Sequence, residues 1–498
     1  MSQTIPSSFE QALLIRSAQL YMGEMFDGQV LNNGQCDVRI AQGKIIALES
    51  TLTAQDNDFV IEAKGNLLLP GLQDHHLHLF ATASARASVS CGPPEVNNAD
   101  ELRRALQGAS GTDWLRGVGF HDSVCAELNR DWLDQVCPQR PVRIQHRSGM
   151  LWILNSAALK QIEHQQSECS QSVWPEGAER DQQGRLTGRF YNLDTWLGKH
   201  LPRAWPSLLS LSQELAGYGI TAVTDTGVNN NAEVWSALTE ASERGELLQR
   251  TLVMGSEALS EVAPSVAAKL SLGPLKLYLR EVDLPDLEEF TQRIVDAHNH
   301  HRAVAVHCVT RVEMFFVLAA FAQAGVLSGD RIEHASIADE DIVQRMAELG
   351  IIAVSQPHFI AERGDQYLKD VDADDVLWLY RGASFIKRGV RLAAGSDAPY
   401  GGTNPWAAMD AAVKRQTRTG VIMSPAECLT PEQALGLFGG TPAQPGGGLR
   451  ALAVGQNADV CLLNNTWQQL RSDLSKPQVL LTLCAGEVIY QSASAWLR

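Results

Sequence analysis

Residues 220–225 have the sequence Ile-Thr-Ala-Val-Thr-Asp, a short β-branched run that ends in a carboxylate. Further runs of this kind follow along the chain, separated by stretches in which apolar residues have helical spacing. Strands that alternate with helices in this way are typical of βα units repeated around a parallel sheet. The runs are residues 220–225, 251–255, 275–279, 303–308, 331–334, 351–356 and 390–397.

One more apolar run, residues 67–79, precedes these seven and brings the predicted number of parallel strands to eight. Eight strands with intervening helices indicate an α/β fold with a closed (β/α)8 barrel, the TIM barrel, for which about 250 residues suffice. We therefore assign residues 66–448 to the barrel.

Two helix signals lie between the strands. Thr430, followed by Pro431 and Gln433, predicts the start of a helix, with threonine as the N-cap and proline in the first turn. An amphipathic helix is predicted by an apolar stripe with spacings of three and four, namely Leu287, Phe290, Ile294 and Ala297.

Two surplus regions remain outside the barrel strands. Residues 1–65 and 449–498 each contain strand-like runs, but neither is long enough for a generous core alone, so we predict that they form one composite β-sandwich domain. Residues 82–215 form a long insertion after the first barrel strand. This insertion is rich in tryptophan, which a disordered loop would not be, and we predict a folded insertion over the barrel mouth.

The composition excludes several classes of protein. The chain has 498 residues, of which 45% are hydrophobic and 20% charged, a balance that excludes disordered and collagen-like chains. A formal net charge of −16 disfavours nucleic acid and anionic membranes as partners. We therefore expect a small-molecule substrate, and the sequence leaves open whether the protein is a homodimer.

The nine cysteines are scattered and include no Cys-x-x-Cys pair, which argues against a disulfide framework and a zinc ribbon. The first twenty residues lack the pattern of a secretion signal, and no apolar run is long enough to span a membrane. These observations predict a cytoplasmic protein.

Polar side chains cluster at the carboxyl ends of the predicted strands. In the first strand, Asp74, His76 and His78 share one face, and the two imidazoles lie about 7 Å apart, close enough to bind one ion. His75 points the other way and is expected to pack or hydrogen-bond behind the strand. The fifth, sixth and eighth strands end in His307, His334 and Asp397 respectively.

In a parallel barrel, the carboxyl ends of all strands meet on one face, where active sites are built. Histidine and aspartate together suit Zn²⁺, and the ligand types do not exclude iron, manganese or nickel. His358 and Tyr400 follow the seventh and eighth strands on this face, so they are candidate substrate contacts.

Lys276 is predicted to point into the barrel, where an unpaired ammonium group is unfavourable. Four explanations stay open: a lowered pKa, an ion pair with Asp or Glu, a carbamate formed with CO₂, or a side chain that extends out to solvent at the strand end.

Several motifs together resemble the metal-dependent amidohydrolase superfamily, and within it the YtcJ-like branch, also called the amidohydrolase 3 branch. The resemblance covers nearly the whole chain in order. Its motifs are residues 70–71, 74–78, 219–223, Lys276, His307, 333–335, 395–399 and 455–459, with residues 141–143, 147–150, 155–159 and 355–358 typical of the branch.

The resemblance implies a TIM barrel, a composite β domain and one or two divalent metal ions, usually zinc. It also implies roles for individual residues. His76, His78 and Asp397 would hold the first metal, and His307 and His334 the second. Lys276, as a carbamate, would bridge the two ions.

The chain departs from the branch at three places. Met150 and Asn192 stand where the branch often has histidine and an acidic residue, and the Asp-Gly that often follows the fourth-strand lysine is missing after Tyr278. These departures leave the metal ligands unchanged, but they mean that the substrate of a relative cannot be assumed for this chain.

We therefore predict an amidohydrolase that cleaves a C–N bond of a small non-peptide amide, formamide or cyclic amide. A bound metal lowers the pKa of its water from about 15.7 to roughly 7 and so supplies hydroxide at neutral pH. Asp397 is the expected proton carrier, and His334 or His358 would help to hold the oxyanion.

The residues leave three alternatives open. A metal-bound hydroxide could also serve a deaminase or a hydrolase of lactones or phosphoesters. In the third alternative, the chain is an inactive homologue that only binds metal.

Overall fold

The structure is a computed structural model that describes residues 12–21, 35–93, 95–110, 114–167, 174–201, 205–261 and 269–493. The chain divides into two compact units. The first unit consists of Met1–Leu79 together with Ser207–Arg498, and the second consists of Phe80–Pro206.

The first unit contains an eight-stranded barrel sheet in which each strand pairs in parallel with the next along the chain. Most of its strand residues are buried because helices cover the outer face of a parallel sheet. The predicted α/β barrel fold is confirmed. Its strands, numbered one to eight below, are Leu72–Leu77, Ile220–Asp225, Arg250–Gly255, Leu270–Tyr278, Val304–Cys308, Arg331–His334, Ile352–Ser355 and Leu392–Ala394.

Backbone hydrogen bonds join strand one to the end of strand eight. The amide of Asp397 donates to the carbonyl of His76 at 2.7 Å, and the amide of His78 donates to the carbonyl of Ala398 at 2.9 Å. Gly395 makes this approach feasible, because a Cβ atom there would lie 2.7 Å from Cα of His76. Strand one, which carries His76, and the segment after strand eight, which carries Asp397, are thus held against each other.

The helices follow the signals predicted for them. Helix Leu287–Asn299 buries Phe290, Ile294 and Ala297, as the apolar stripe predicts. Thr430 is the N-cap of helix Pro431–Gly436, as predicted, and it forms a capping box with Gln433. The other α-helices are Leu79–Arg86, Ala99–Gln107, Arg130–Val136, Ser156–Ser167, Asp194–His200, Leu209–Gly217, Ala232–Glu243, Arg311–Ala324, Glu340–Leu349, His358–Asp370, Ala373–Val376, Ala383–Lys387, Pro405–Lys414 and Trp467–Leu470, and the 3-10 helices are Glu257–Glu261, Glu281–Asp283 and Pro425–Glu427.

A second eight-stranded sheet of the first unit combines residues from both ends of the chain. Leu67–Pro70 pairs antiparallel with Val460–Leu463 and in parallel with the end of Leu13–Leu20. Its side chains form a core that includes Ile15 and Leu481. The strands are Leu13–Leu20, Gln35–Ala41, Lys44–Glu49, Phe59–Glu62, Leu67–Pro70, Val460–Leu463, Val479–Cys484 and Glu487–Gln491, and a separate hairpin joins Gly440–Thr441 to Gln444–Pro445.

The run at residues 67–79 is two strands, whereas we predicted one. Gly71 separates them: its amide donates to the carbonyl of Asp459 at 2.8 Å, and a Cβ atom there would lie 2.7 Å from Cβ of Thr221. The first four residues therefore belong to the terminal sheet, and only Leu72–Leu77 belongs to the barrel.

The second unit has its own six-stranded mixed sheet and two apolar clusters. Trp152 is buried in one cluster, and Trp114, Trp174 and Trp196 pack against it. The strands, in spatial order, are Ala178–Arg180, Leu186–Tyr191, Leu151–Leu154, Val142–His146, Leu115–Phe120 and Val89–Ser90.

A membrane-spanning element is not found among the helices of the described residues, since none of them is both long enough and apolar enough to cross a bilayer.

Candidate metal centre

Three side chains from distant parts of the chain converge at the carboxyl end of the barrel strands. They are His76 on strand one, His334 at the end of strand six and Asp397 after strand eight. One ligand atom from each lies within 4.8 Å of the others, and all three residues are buried. Two imidazoles and a carboxylate at this separation can bind a divalent cation.

His78 lies beside this cluster. Its Nε2 is 3.5 Å from Oδ1 of Asp397, and Nε2 of His76 is 3.3 Å from the same oxygen. Both histidines of the His-x-His motif therefore face one carboxylate oxygen, as expected for residues two apart on a strand.

His307 extends the cluster on the other side. Its ring centroid is 4.5 Å from that of His334, which in turn is 4.8 Å from that of His76. Burial, with nearby positive charge on His334 and Lys276, lowers the pKa of His307. A neutral imidazole is the form that binds a metal.

Lys276 is 4% exposed, and its Nζ atom is shielded from solvent without a hydrogen-bond partner. Four explanations were considered for a lysine that points into the barrel, and the burial of Nζ excludes the one in which the side chain extends out to solvent. Burial lowers the pKa of Lys276 to about 8, against the opposing influence of the carboxylates of Glu333 and Asp397. A buried amine with no partner is a candidate for covalent or metal chemistry.

Asp397 is ionised in this environment. Burial would raise its pKa, but hydrogen bonds from His76 and His78 hold it well below its usual range. Asp397 and His334 also have left-handed backbones, with φ values of 50° and 69°, which are unfavourable for residues other than glycine. Such strain is typical of functional sites.

Sequence reasoning did not identify the residues that orient the histidines. The carboxylate of Glu333 accepts a hydrogen bond from Nδ1 of His76 and another, 2.6 Å long, from Nε of Arg331. Arg331 also donates to the carbonyl of His75 at 3.1 Å. The signal was present in the alternation of charged and apolar residues in strand six, Arg-Ile-Glu-His, all four of which are buried.

Gln356 performs the same task for His334, whose Nδ1 lies 2.8 Å from its Oε1. With the proton on Nδ1, Nε2 of His334 carries a lone pair directed at the cluster. This arrangement suits a metal ligand better than a hydrogen-bond donor to an oxyanion.

The two candidate substrate contacts lie in different environments. His358 is buried, and its Nε2 donates to the carbonyl of Ser396 at 3.0 Å, so its ring supports the loop after strand eight. Tyr400 is 61% exposed, and its ring meets that of His78 edge-on, with 5.9 Å between the ring centroids. Tyr278, which we did not propose as a substrate contact, is 52% exposed and stacks on His307 at 4.2 Å.

His75 lies behind the strand, as expected. It is fully buried, and its Nε2 is 2.7 Å from the carbonyl of Gly439. Met150 and Asn192, the two departures in the insertion, lie in the second unit, where the amide of Asn192 donates to the carbonyl of Met150 at 2.8 Å.

Comparisons with solved structures agree with this architecture. A metal-dependent hydrolase of uncharacterised function from Pyrococcus horikoshii OT3 is 19% identical, with a TM-score of 0.71 over 91% of this chain and 97% of that chain. A mutant of atrazine chlorohydrolase from Arthrobacter aurescens, crystallised with zinc and atraton, is 14% identical, with a TM-score of 0.55 over 98% of this chain and 97% of that chain.

Curated relatives match most of the chain as well. N-substituted formamide deformylase from Arthrobacter pascens is 26% identical over 87% of this chain and 90% of its own length. YtcJ of Bacillus subtilis (strain 168) is 24% identical over 76% of this chain and 79% of its own length. The pattern of the amidohydrolase family matches residues 60–490. Because this match covers most of the sequence, the chain belongs to the amidohydrolase family.

Proposed function

We propose that the protein hydrolyses a carbon–nitrogen bond of a small non-peptide amide, with formamides and cyclic amides as the substrate classes. The observation that carries this proposal is the convergence of His76, His334 and Asp397, whose ligand atoms lie within 4.8 Å of one another. Membership of the amidohydrolase family and the similarity to a formamide deformylase support it.

The donor set fits one or two divalent cations, and we propose zinc. His76, His78 and Asp397 would hold one ion, and His307 and His334 a second. The fit rests on the hydrogen bonds that His76 and His334 make through Nδ1, which direct both Nε2 atoms at the cluster. A bound cation would take the place of the proton through which Nε2 of His76 contacts Asp397. When bound, such a cation makes water nucleophilic at neutral pH and polarises a carbonyl group.

Asp397 would move the proton in the reaction. Its carboxylate is ionised, so it can accept a proton from water as the water attacks the amide carbon. It would then deliver that proton to the leaving nitrogen, which departs as a neutral amine while a carboxylic acid is formed.

We also propose that Lys276 is carbamylated. In this reaction the neutral amine attacks CO₂, a nitrogen–carbon bond forms, and the nitrogen loses a proton to solvent. The buried Nζ without a partner is the observation that supports it, since the carbamate would replace an unpaired amine with an anionic ligand for two cations.

Metal analysis and a substrate screen test the main proposal. Zinc should copurify with the protein, and N-substituted formamides, acylated amines or cyclic amides should be hydrolysed by the zinc-loaded enzyme. Asp397→Asn should keep the fold and lower kcat by about 100-fold or more. The control is Asp374→Asn, which removes an exposed carboxylate elsewhere in the barrel unit. A zinc-loaded protein that hydrolyses none of these amides would overturn the proposal.

The carbamate is tested separately. Protein incubated with ¹³C-bicarbonate should show a carbamate signal by NMR, and Lys276→Gln should lose both this signal and about one metal ion per chain. The bridging role of Lys276 would be contradicted if the wild type gave no carbamate signal and Lys276→Gln kept the metal content of the wild type. The hydrolase proposal would still depend only on its own test.

For the location we propose the cytoplasm. The eight cysteines among the described residues are all free thiols, a state that reducing compartments maintain.

A further inference from the structure

Two arginines lie side by side on the sheet of the second unit. Arg116 is on strand Leu115–Phe120, Arg143 is on strand Val142–His146, and the two residues are direct partners in the parallel pairing of these strands. Partners on neighbouring strands lie about 4.8 Å apart and point to the same face. The two guanidinium groups are therefore neighbours.

Among the residues that the structure describes, neither arginine has a carboxylate as counter-ion. Nε of each side chain is shielded from solvent without a hydrogen-bond partner. Burial, reinforced by the positive charge of Arg116, lowers the pKa of Arg143 to about 10. Two half-buried cations at paired strand positions repel each other, and an anion between them would relieve that repulsion.

Two aromatic rings lie beside Arg143. The guanidinium carbon of Arg143 is 5.9 Å from the ring centroid of Trp114 and 5.9 Å from that of Trp152. Trp114 is held by a hydrogen bond of 2.7 Å from its Nε1 to Gln161. A pair of guanidinium groups, one of them beside two indole rings, combines bidentate recognition of an anion with contact area for an apolar group.

We propose that Arg116 and Arg143 bind the carboxylate of an organic acid whose planar hydrocarbon part packs against Trp114 and Trp152. The site belongs to the inserted unit and does not depend on the hydrolase activity proposed above. A purely structural role for Arg143, as a cation packed against tryptophan, is the competing explanation.

Benzoate is the probe that tests the site. Binding of benzoate to the full-length protein, measured by calorimetry and by tryptophan fluorescence, should be weakened about tenfold or more in Arg116→Gln and in Arg143→Gln. Arg143→Lys keeps the charge but loses the fork and should have intermediate affinity. The matched control is Arg103→Gln, because Arg103 also lies over a tryptophan, Trp132 at 5.2 Å, but is on helix Ala99–Gln107 and not on the sheet.

Thermal unfolding separates ligand binding from a structural role. Benzoate should raise the Tm of the wild type by more than that of either glutamine variant at the same concentration, because stabilisation by a ligand increases with its affinity for the folded state. Without benzoate, Arg116→Gln should be at least as stable as the wild type, since it removes repulsion between like charges. If the arginines had only a structural role, their substitution would lower the Tm of the protein, and benzoate would not change the Tm of the wild type.

Three results would overturn the proposal. The first is the absence of benzoate binding to the wild type, and the second is equal binding in Arg116→Gln and Arg143→Gln. The third is loss of binding when zinc is removed by a chelator. Binding that requires zinc would show that benzoate binds at the metal centre and not at the two arginines. Equal affinity for inorganic phosphate would assign the site to anions in general and contradict the specificity for a planar acid.

Discussion

Nδ1 of His76 donates a hydrogen bond to the carboxylate of Glu333, and Nε of Arg331 donates to the same carboxylate at 2.6 Å. This chain of contacts fixes the imidazole with Nε2 directed at the metal cluster. Partners of this kind hold the orientation of metal-binding histidines and increase their basicity.

Glu333→Gln should therefore weaken metal binding by about 10- to 100-fold. The amide retains the shape of the carboxylate but removes the charge that pairs with Arg331 and His76, so a loss of about 3 kcal/mol in stability is also expected. Affinity is measured by competition with a zinc chelator, on protein shown to be folded. Glu348→Gln, which alters an exposed carboxylate of the same unit, is the control. Wild-type affinity in the Glu333 variant would rule out this orienting role.

Gly395→Ala should also impair the metal centre, although glycine has no side chain that could bind a metal ion. A Cβ atom there would lie 2.7 Å from Cα of His76, so the backbone of strand one has to move. We expect about a tenfold or greater loss of zinc affinity, because ligand positions must be held to a few tenths of an ångström. Gly198→Ala is the control, since a Cβ atom there meets nothing within 4 Å. Equal effects of the two substitutions would disprove the steric argument.

His75 predicts a dependence of stability on pH. Burial and the positive charge of Arg331 lower its pKa from 6.5 to about 3. Between these two pH values the unfolded chain therefore binds more protons than the folded chain. The stabilisation that comes from a neutral His75 is complete above pH 6.5 and is lost as the pH falls toward 3. The contribution of His75 amounts to at most about 1.4 kcal/mol for each pH unit in this window.

His75→Gln removes the titrating group but keeps a donor for the carbonyl of Gly439. Urea unfolding of metal-free protein between pH 7 and pH 4 should show a shallower loss of stability in this variant than in the wild type. His300→Gln, at an exposed position on a helix end, should leave the wild-type slope unchanged. Parallel slopes for wild type and His75→Gln would exclude His75 as the cause.

Tyr278 and Tyr400 predict a preference for substrates with a flat apolar group. They stand at the two ends of a row of rings that runs through His307, His334, His76 and His78. Tyr278→Ala should raise KM for an N-aryl formamide about two- to tenfold more than for an N-methyl formamide, the range expected for loss of an aromatic contact. Tyr278→Phe should behave as the wild type. A uniform change in KM across both substrates would contradict the preference.

The barrel could be predicted because its signals are local. Apolar runs, the stripe of helix Leu287–Asn299 and the N-cap at Thr430 each depend on a few neighbouring residues. The convergence of His76, His334 and Asp397 followed from their places at strand ends, because the topology of a parallel barrel collects those ends on one face.

The remainder depends on contacts between distant residues. The division of residues 67–79 at Gly71 arises from the approach of Asp459 and Thr221, which no local pattern reveals. The orienting roles of Glu333 and Gln356 require the directions of particular ring nitrogens. A sequence shows that such polar residues exist within apolar strands, but only three-dimensional placement shows which histidine each one serves.

The pairing of Leu67–Pro70 with Val460–Leu463 determines the order in which the molecule can be completed during synthesis. A ribosome releases residue 67 long before residue 460, so the early strand has to wait with one edge open while almost four hundred residues emerge. Until its partner arrives, that edge can pair with other nascent chains. Premature termination before the late strands would therefore leave a product prone to aggregate.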